Sequence, residues 1–95
     1  MMRQEPRQIL RAVKSRARAN AFTYSAHAFE SMVDAGIDDE DVQRAFSTAS
    51  LLEVRPDSRA LTHYVLHGFG LNEEPLVLVC RMKKRLVEVV DLYWD

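Results

Sequence analysis

One cysteine, three glycines and three prolines in 95 residues leave little room for several familiar kinds of chemistry. The lone Cys80 excludes an internal disulfide. Its place in the apolar run Leu76-Val77-Leu78-Val79-Cys80 suits a buried, inert thiol better than a nucleophile. Gly36, Gly68 and Gly70 form no phosphate-binding glycine loop. Neither a Cys-x-x-Cys nor a His-Glu-x-x-His spacing occurs. His63 and His67 share one face of an extended segment but stand about 13 Å apart, too far to ligate one ion unaided. No metal and no cofactor is therefore expected. No apolar run approaches the roughly 20 residues of a membrane span, and the charged N-terminus lacks the apolar centre of a secretory signal. The expectation is a cytoplasmic protein that makes no membrane contact.

The length allows one core and no second domain. A hydrophobic fraction of 47% and a charged fraction of 28% are ordinary for a folded domain. The net charge of −1 hides an asymmetry. Residues 1–20 carry Arg3, Arg7, Arg11, Lys14, Arg16 and Arg18 against Glu5, for a net +5, while residues 21–95 carry −6. That division suits an intramolecular contact or an arm for an anionic partner, and it argues against a body that binds nucleic acid indiscriminately.

Along the chain, Pro6 suits a first helical turn, and residues 1–20 read as a basic amphipathic N-terminal helix. Ile9, Leu10, Val13 and Ala17 share one side, with Arg7, Arg11, Lys14 and Arg18 in a strip beside them. Residues 21–95 read as a single α+β domain. Phe22-Thr23-Tyr24 is a short extended piece. Ser25 follows as an N-cap, with Tyr24 and Phe29 placed to staple the helix start and Gly36 to end it. The inner face of this helix is expected at Phe29, Met32 and Val33. Asp38 caps the next helix, Asp41 completes a capping box, and Ile37 and Val42 form a second staple. The acidic run Asp38-Asp39-Glu40-Asp41 is thereby explained without a metal.

After Ser50 the apolar period shortens from that of a helix to that of a strand. Strands are expected over 51–55, 61–69, 76–82 and 86–93, with a turn at Pro56-Asp57-Ser58 and a hairpin tip at Lys83-Lys84-Arg85. Helices first and strands afterwards give an α+β fold, with N-terminal helices packed on one face of a four-stranded antiparallel meander.

Few residues remain free to carry chemistry. His27 lies in the first helical turn, away from the expected core face. There the helix dipole favours a neutral imidazole able to take a proton, and a solvated surface histidine is the other reading. Tyr93 and Trp94 point to opposite faces of the last strand, so one packs inward while the other, like Tyr64, can stack on a base or simply cover a sheet edge. Arg81, Lys83, Lys84 and Arg85 at the hairpin, and Arg7, Arg11, Lys14 and Arg18 on the first helix, are two candidate phosphate-binding clusters. Clusters of this kind are more often a solvated face than a phosphate contact.

The stretch from Phe22 through Tyr24-Ser25-Ala26-His27-Ala28-Phe29, Met32, Gly36-Ile37 and the acidic cluster to Val42 resembles a family of small bacterial proteins. That family looks like a branch of the RelE/ParE-type toxins of toxin–antitoxin modules, near the MqsR and BrnT groups. The resemblance runs from Phe22 to Tyr93. It implies a RelE-like fold, metal-independent cleavage of messenger RNA and an antitoxin protein as partner. His27 matches the family histidine and Tyr93 its C-terminal aromatic residue. Arg81 and Arg85 become phosphate stabilisers by position. Ser31 and Ala35 stand where that family usually has arginines, which removes two cationic groups from the histidine-bearing helix. A non-catalytic interaction domain, as a degenerate toxin fold or a homodimeric scaffold, is the alternative.

Overall fold

A computed structural model describes residues 5–56 and 62–95. The elements run α1 (Pro6–Arg18), β1 (Phe22–Tyr24), α2 (Ala26–Ala35), α3 (Asp39–Thr48), β2 (Ser50–Pro56), β3 (Thr62–Phe69), β4 (Pro75–Lys83) and β5 (Leu86–Trp94). The expected turn residues Asp57 and Ser58, and Leu61 before β3, lie outside the described residues.

The strands form one five-stranded sheet in the order β1-β5-β4-β3-β2. The α+β class holds, and the expected four-stranded antiparallel meander is present as β2 to β5 but is not the whole sheet. Strands β2 to β5 are antiparallel neighbours, and β1 adds a fifth strand parallel to β5, pairing Phe22 with Val87 and Tyr24 with Val89. Three extended residues separated by some sixty from their partner give no periodic signal of their own. Only the tertiary fold reveals the pairing.

One sheet face carries Leu66, Leu76, Leu78, Cys80, Val87, Val89 and Leu92, all buried together with residues from the three helices. Helix α1 contributes Ile9, Val13 and Ala17 to this core, so the basic N-terminal segment is built into it. Arg16 fixes α1 further: its Nη1 donates to the carbonyls of Lys83 (3.1 Å) and Leu86 (3.2 Å) at the β4–β5 hairpin. Helix α3 supplies Val42, Ala45, Phe46 and Ala49. Asp38 Oδ1 accepts from the Asp41 N–H, Asp41 Oδ2 accepts from the Asp38 N–H, and Ile37 and Val42 are buried, as the sequence predicts. Gly68 lies where α3 crosses β3 so closely that a side chain would strike the Ala45 backbone.

The expectation for α2 needs correction. Its buried residues are Ala28 and Met32, whereas Phe29 and Val33 are 59% and 67% exposed. The cause is where the helix begins. The Ser25 N–H donates to the Val89 carbonyl and the Ser25 hydroxyl to the Val90 carbonyl, which ties the helix start to β5. This anchoring turns the small Ala28 inward, where the backbone approaches closely, and rotates Phe29 outward. Tyr24 packs against the core and donates its hydroxyl to Asp39 Oδ1 at 2.6 Å, so it is not available to staple Phe29. Past the point where β1 stops, α2 lies against the second half of β5, and Trp94 Nε1 donates to the Ala35 carbonyl. Gly36 ends the helix at φ 68°, a backbone that a side chain would strain.

Candidate functional site

The face of the sheet opposite the helices has a small apolar floor. Val65, Val77 and Val79 are buried there, with Val90 packed against them. The register arranges polar residues around this floor. Ser50, His67, Val77 and Tyr93 form one row across β2 to β5, and Glu53, Val65, Val79 and Asp91 form the next.

A single irregularity decides what β5 presents. Between Val79 and Cys80 the partner on β5 jumps from Asp91 to Val89, leaving Val90 as an extra residue. Before this bulge the odd residues Val87 and Val89 face the helices, and after it the even residues Leu92 and Trp94 do. Without the slip, Asp91 and Tyr93 would point into the core. With it they stand on the open face, the re-aiming that a bulge performs. The bulge is also where Ser25 docks: its hydroxyl donates to Val90 and accepts from the Ala28 N–H at 3.0 Å. Ser25 is thus both the cap of α2 and its attachment to the bulge.

Two residues further along α2, His27 reaches Asp91, with Nε2 at 3.2 Å from Oδ1. The same Asp91 oxygen accepts the Leu92 N–H at 2.9 Å, which fixes the carboxylate that the imidazole meets. Tyr93, two residues on, is 46% exposed. The Arg55 guanidinium on β2 is paired with Glu53 at 2.8 Å, and that hydrogen bond and charge hold it above its ordinary pKa. On the other side of Tyr93, His67 Nε2 lies 3.5 Å from Asp95 Oδ2, and the imidazole packs edge-on against Phe69. Strand β5 thus presents Asp91 and Tyr93, Asp95 follows just past its end, and each carboxylate faces a histidine from a different element.

The candidate phosphate groups are dispersed. Arg81 Nε and Lys83 Nζ both donate to the buried carboxylate of Glu88, opposite Arg81 in the register. Burial pushes the Glu88 carboxyl up, but the hydrogen bonds and charges of Lys83 and Arg81 outweigh it and hold the group below the usual carboxylate range. Arg81 is thus engaged in the fold. Lys84 and Arg85 remain exposed at the hairpin tip. Of the strip Arg7, Arg11, Lys14 and Arg18, Lys14 and Arg18 border a hollow of about 250 Å³ shared with Gln43, Phe46 and Ser47 of α3, while Arg7 and Arg11 line a separate groove along α1 with Leu10 and Ser15. Arg16, the α1 residue that meets the hairpin, points about 170° around the helix from that strip. The fold therefore does not merge the two basic clusters into one surface.

Among the described residues no three His, Cys, Asp or Glu side chains converge as metal ligands. Cys80 is fully buried in the helix-side core, which pushes its thiol pKa well above the ordinary value. No described helix is long and apolar enough to cross a membrane.

Sequence reasoning missed Asp91, His67 with Asp95, and Glu88. A signal was present in the polar residues of 86–94: Glu88 and Asp91 are three apart, so strict alternation cannot put both on one face. That break in alternation marks a bulge, and the bulge turns Asp91 and Tyr93 outward.

A family model described as a domain of unknown function, DUF4258, matches residues 24–94. The chain belongs to the DUF4258 family. The match opens at Tyr24, closes at Trp94 and so contains both His27–Asp91 and His67, while α1 lies before it. No curated protein and no solved structure matches the chain.

Proposed function

We propose that this DUF4258 domain is a RelE-like, metal-independent endoribonuclease of a bacterial toxin–antitoxin module, acting on messenger RNA in the cytoplasm through the open face of its sheet. The observation that carries the reading is the His27–Asp91 pair beside Tyr93. RNA carries its own nucleophile, so cleavage needs a base at the 2′-hydroxyl, an acid at the 5′-oxygen and stabilisation of the phosphorane between them. His27 is the base, and Asp91 holds its ring with Nε2 toward β5 and Nδ1 toward the substrate. As the 2′-oxygen bonds to phosphorus, the bond to the 5′-oxygen breaks and Tyr93 returns a proton to it. The products are a 2′,3′-cyclic phosphate and a 5′-hydroxyl end. With Ser31 and Ala35 where the family resemblance would place arginines, α2 itself supplies no cation to the phosphorane.

Purified protein should cleave single-stranded RNA in EDTA and leave a cyclic phosphate, and induced expression should arrest growth. His27→Ala should lower cleavage by about a hundredfold or more, with a smaller loss in Asp91→Asn. A wild-type protein that is harmless at high expression and inert on RNA would end this reading.

A second reading, a non-catalytic interaction domain, draws on a different observation: Arg55, Arg81 and Lys83 on the open face each already meet a carboxylate. In that case the α1 strip is the contact. Because α1 supplies part of the core, its deletion would unfold the domain. The informative variant instead replaces Arg7, Arg11, Lys14 and Arg18 with glutamine. Salt-sensitive binding of an anionic partner that vanishes in this variant, without RNA cleavage, would favour the second reading.

A further inference from the structure

Helix α2 turns toward solvent a face that no described residue covers. Phe29 and Val33, one helical turn apart, form its apolar stripe. The charge around that stripe has one sign. From Ser25 to Gln43 the chain contains six carboxylates and neither lysine nor arginine. Asp38 and Asp41 are spent in the α3 capping box, and Asp39 receives the Tyr24 hydroxyl and the Gln43 amide. Glu30, Asp34 and Glu40 are exposed and meet no cation among the described residues.

We propose that the Phe29/Val33 face of α2 docks a basic amphipathic helix of a partner protein. Two large apolar anchors at i and i+4 are what the apolar side of such a helix packs against, and Glu30, beside Val33 around α2, with the exposed Glu40 at the start of α3, selects lysine and arginine at its margins. A second copy of this chain is a poorer fit. Its concentrated basic surface is the α1 strip, and the Ile9, Val13 and Ala17 side chains of α1 are already buried in its own core. The docking face is also distinct from the proposed catalytic one. Phe29 and Val33 lie about 120–160° around α2 from His27, so a partner seated there leaves the His27–Asp91 pair open.

The test uses the full chain and two synthetic fourteen-residue helical peptides with one apolar pattern, leucine with lysine or leucine with glutamate, followed by fluorescence anisotropy. The leucine–lysine peptide should bind, weaken as salt rises, and lose about tenfold or more affinity for a Phe29→Ser/Val33→Ser variant. Glu30→Lys/Glu40→Lys should weaken it as well. Both serine substitutions are at exposed positions, so an unchanged circular dichroism spectrum and melting temperature will show that the variant is folded. No binding of the leucine–lysine peptide, equal binding of the leucine–glutamate peptide, or unchanged affinity in the serine variant would each overturn the proposal. Sedimentation equilibrium covers the remaining occupant: a wild-type dimer abolished by the serine substitutions would assign the face to a second copy, and the proposal would fall.

Discussion

Replacing Gly68 with alanine tests whether the close crossing of α3 over β3 sets the geometry of this domain. A Cβ at this position would lie 2.8 Å from the Ala45 carbonyl carbon and 2.9 Å from its Cα, and nearer still to its oxygen. All three are backbone atoms, so no rotamer change relieves the clash, and α3 must rise by about 1 Å to restore contact distance. A gap of that size forfeits roughly a quarter to a half of the packing attraction across it. Val42 and Phe46, the large side chains that α3 buries, together contribute about 5 kcal/mol, so the loss is about 1–2.5 kcal/mol. Overpacking strain adds about 1 kcal/mol or more. The sum, about 3 kcal/mol, is a large part of the stability of a domain this size and corresponds to a fall in melting temperature of roughly 12–24 °C. Urea denaturation followed by circular dichroism measures it, and an unchanged slope would show that the native and unfolded states keep their compactness. Gly70→Ala is the control. There the added atom meets Asp41 Oδ1 at 2.8 Å and the Trp94 ring at 2.9 Å, side-chain rather than backbone atoms, but moving Asp41 loosens its bond to the Leu71 N–H, so the cost should be about 2 kcal/mol, still below that of Gly68→Ala. If Gly68→Ala is within about 0.5 kcal/mol of wild type, or costs less than Gly70→Ala, the crossing is not as close as described.

Glu88→Gln should cost about 1–2 kcal/mol, because Arg81 and Lys83 lose their shared partner but keep some contact with water. The folded state lowers the Glu88 pKa, so its contribution is complete above the ordinary value of 4.5 and lost as pH falls through the lower folded value. Wild-type stability should therefore drop more steeply in acid than that of Glu88→Gln, and parallel pH–stability curves would contradict the assignment. Asp41→Ala removes the acceptors for the Asp38 and Leu71 N–H groups and should cost about 2 kcal/mol by thermal melting. Ser25→Ala removes both the α2 cap and the bond to Val90. It should cost about 2 kcal/mol and change the nitrogen shifts of the His27 imidazole in NMR spectra, whereas an effect on stability alone would show that Ser25 does not position His27. Cys80 should resist a disulfide reagent in native protein and react fully in urea, and rapid native labelling would refute its burial.

Local chemistry was legible in the sequence, and long-range phase was not. Caps and breaks such as Asp38 with Asp41, Ile37 with Val42, and Gly36 were readable because each depends on residues within a turn of one another. The opposite faces of Tyr93 and Trp94 were readable for the same reason: alternation is local, and Trp94 does pack inward while Tyr93 is exposed. Phe29 and Val33 were misplaced because the α2 start is anchored to Val89 and Val90, more than sixty residues away in sequence. Periodicity alone favours turning the largest apolar side chains inward. The parallel β1–β5 pair escaped for an equivalent reason, since three residues carry no pattern that names their neighbour. Of the residues proposed for the site, His27 and Tyr93 were visible as side chains without a packing duty. Asp91 was marked only by the broken alternation after Glu88, and its orientation depends on the β5 bulge.

That bulge links the folding role of the Tyr24-Ser25-Ala26-His27-Ala28 segment to its chemical one. Ser25 caps α2 by accepting the Ala28 N–H and, with the same oxygen, donates to the bulged Val90. Ala28 is the small residue that allows so close an approach, and Tyr24 closes the segment from the core side through Asp39. These contacts would suffice to build a helix start on a sheet edge, and none of them requires a histidine at position 27 or an aspartate at position 91. Yet the extra residue that gives Ser25 its acceptor is the one that reverses the facing of β5 and brings Asp91 to within 3.2 Å of His27. A serine-capped helix docked on an unbulged strand would have left Asp91 facing the core, with its charge buried and unpaired, at a cost of several kcal/mol. The pairing of an exposed imidazole with a carboxylate fixed by its own backbone is thus a product of how the helix is attached, and it is where substitutions can separate chemistry from folding.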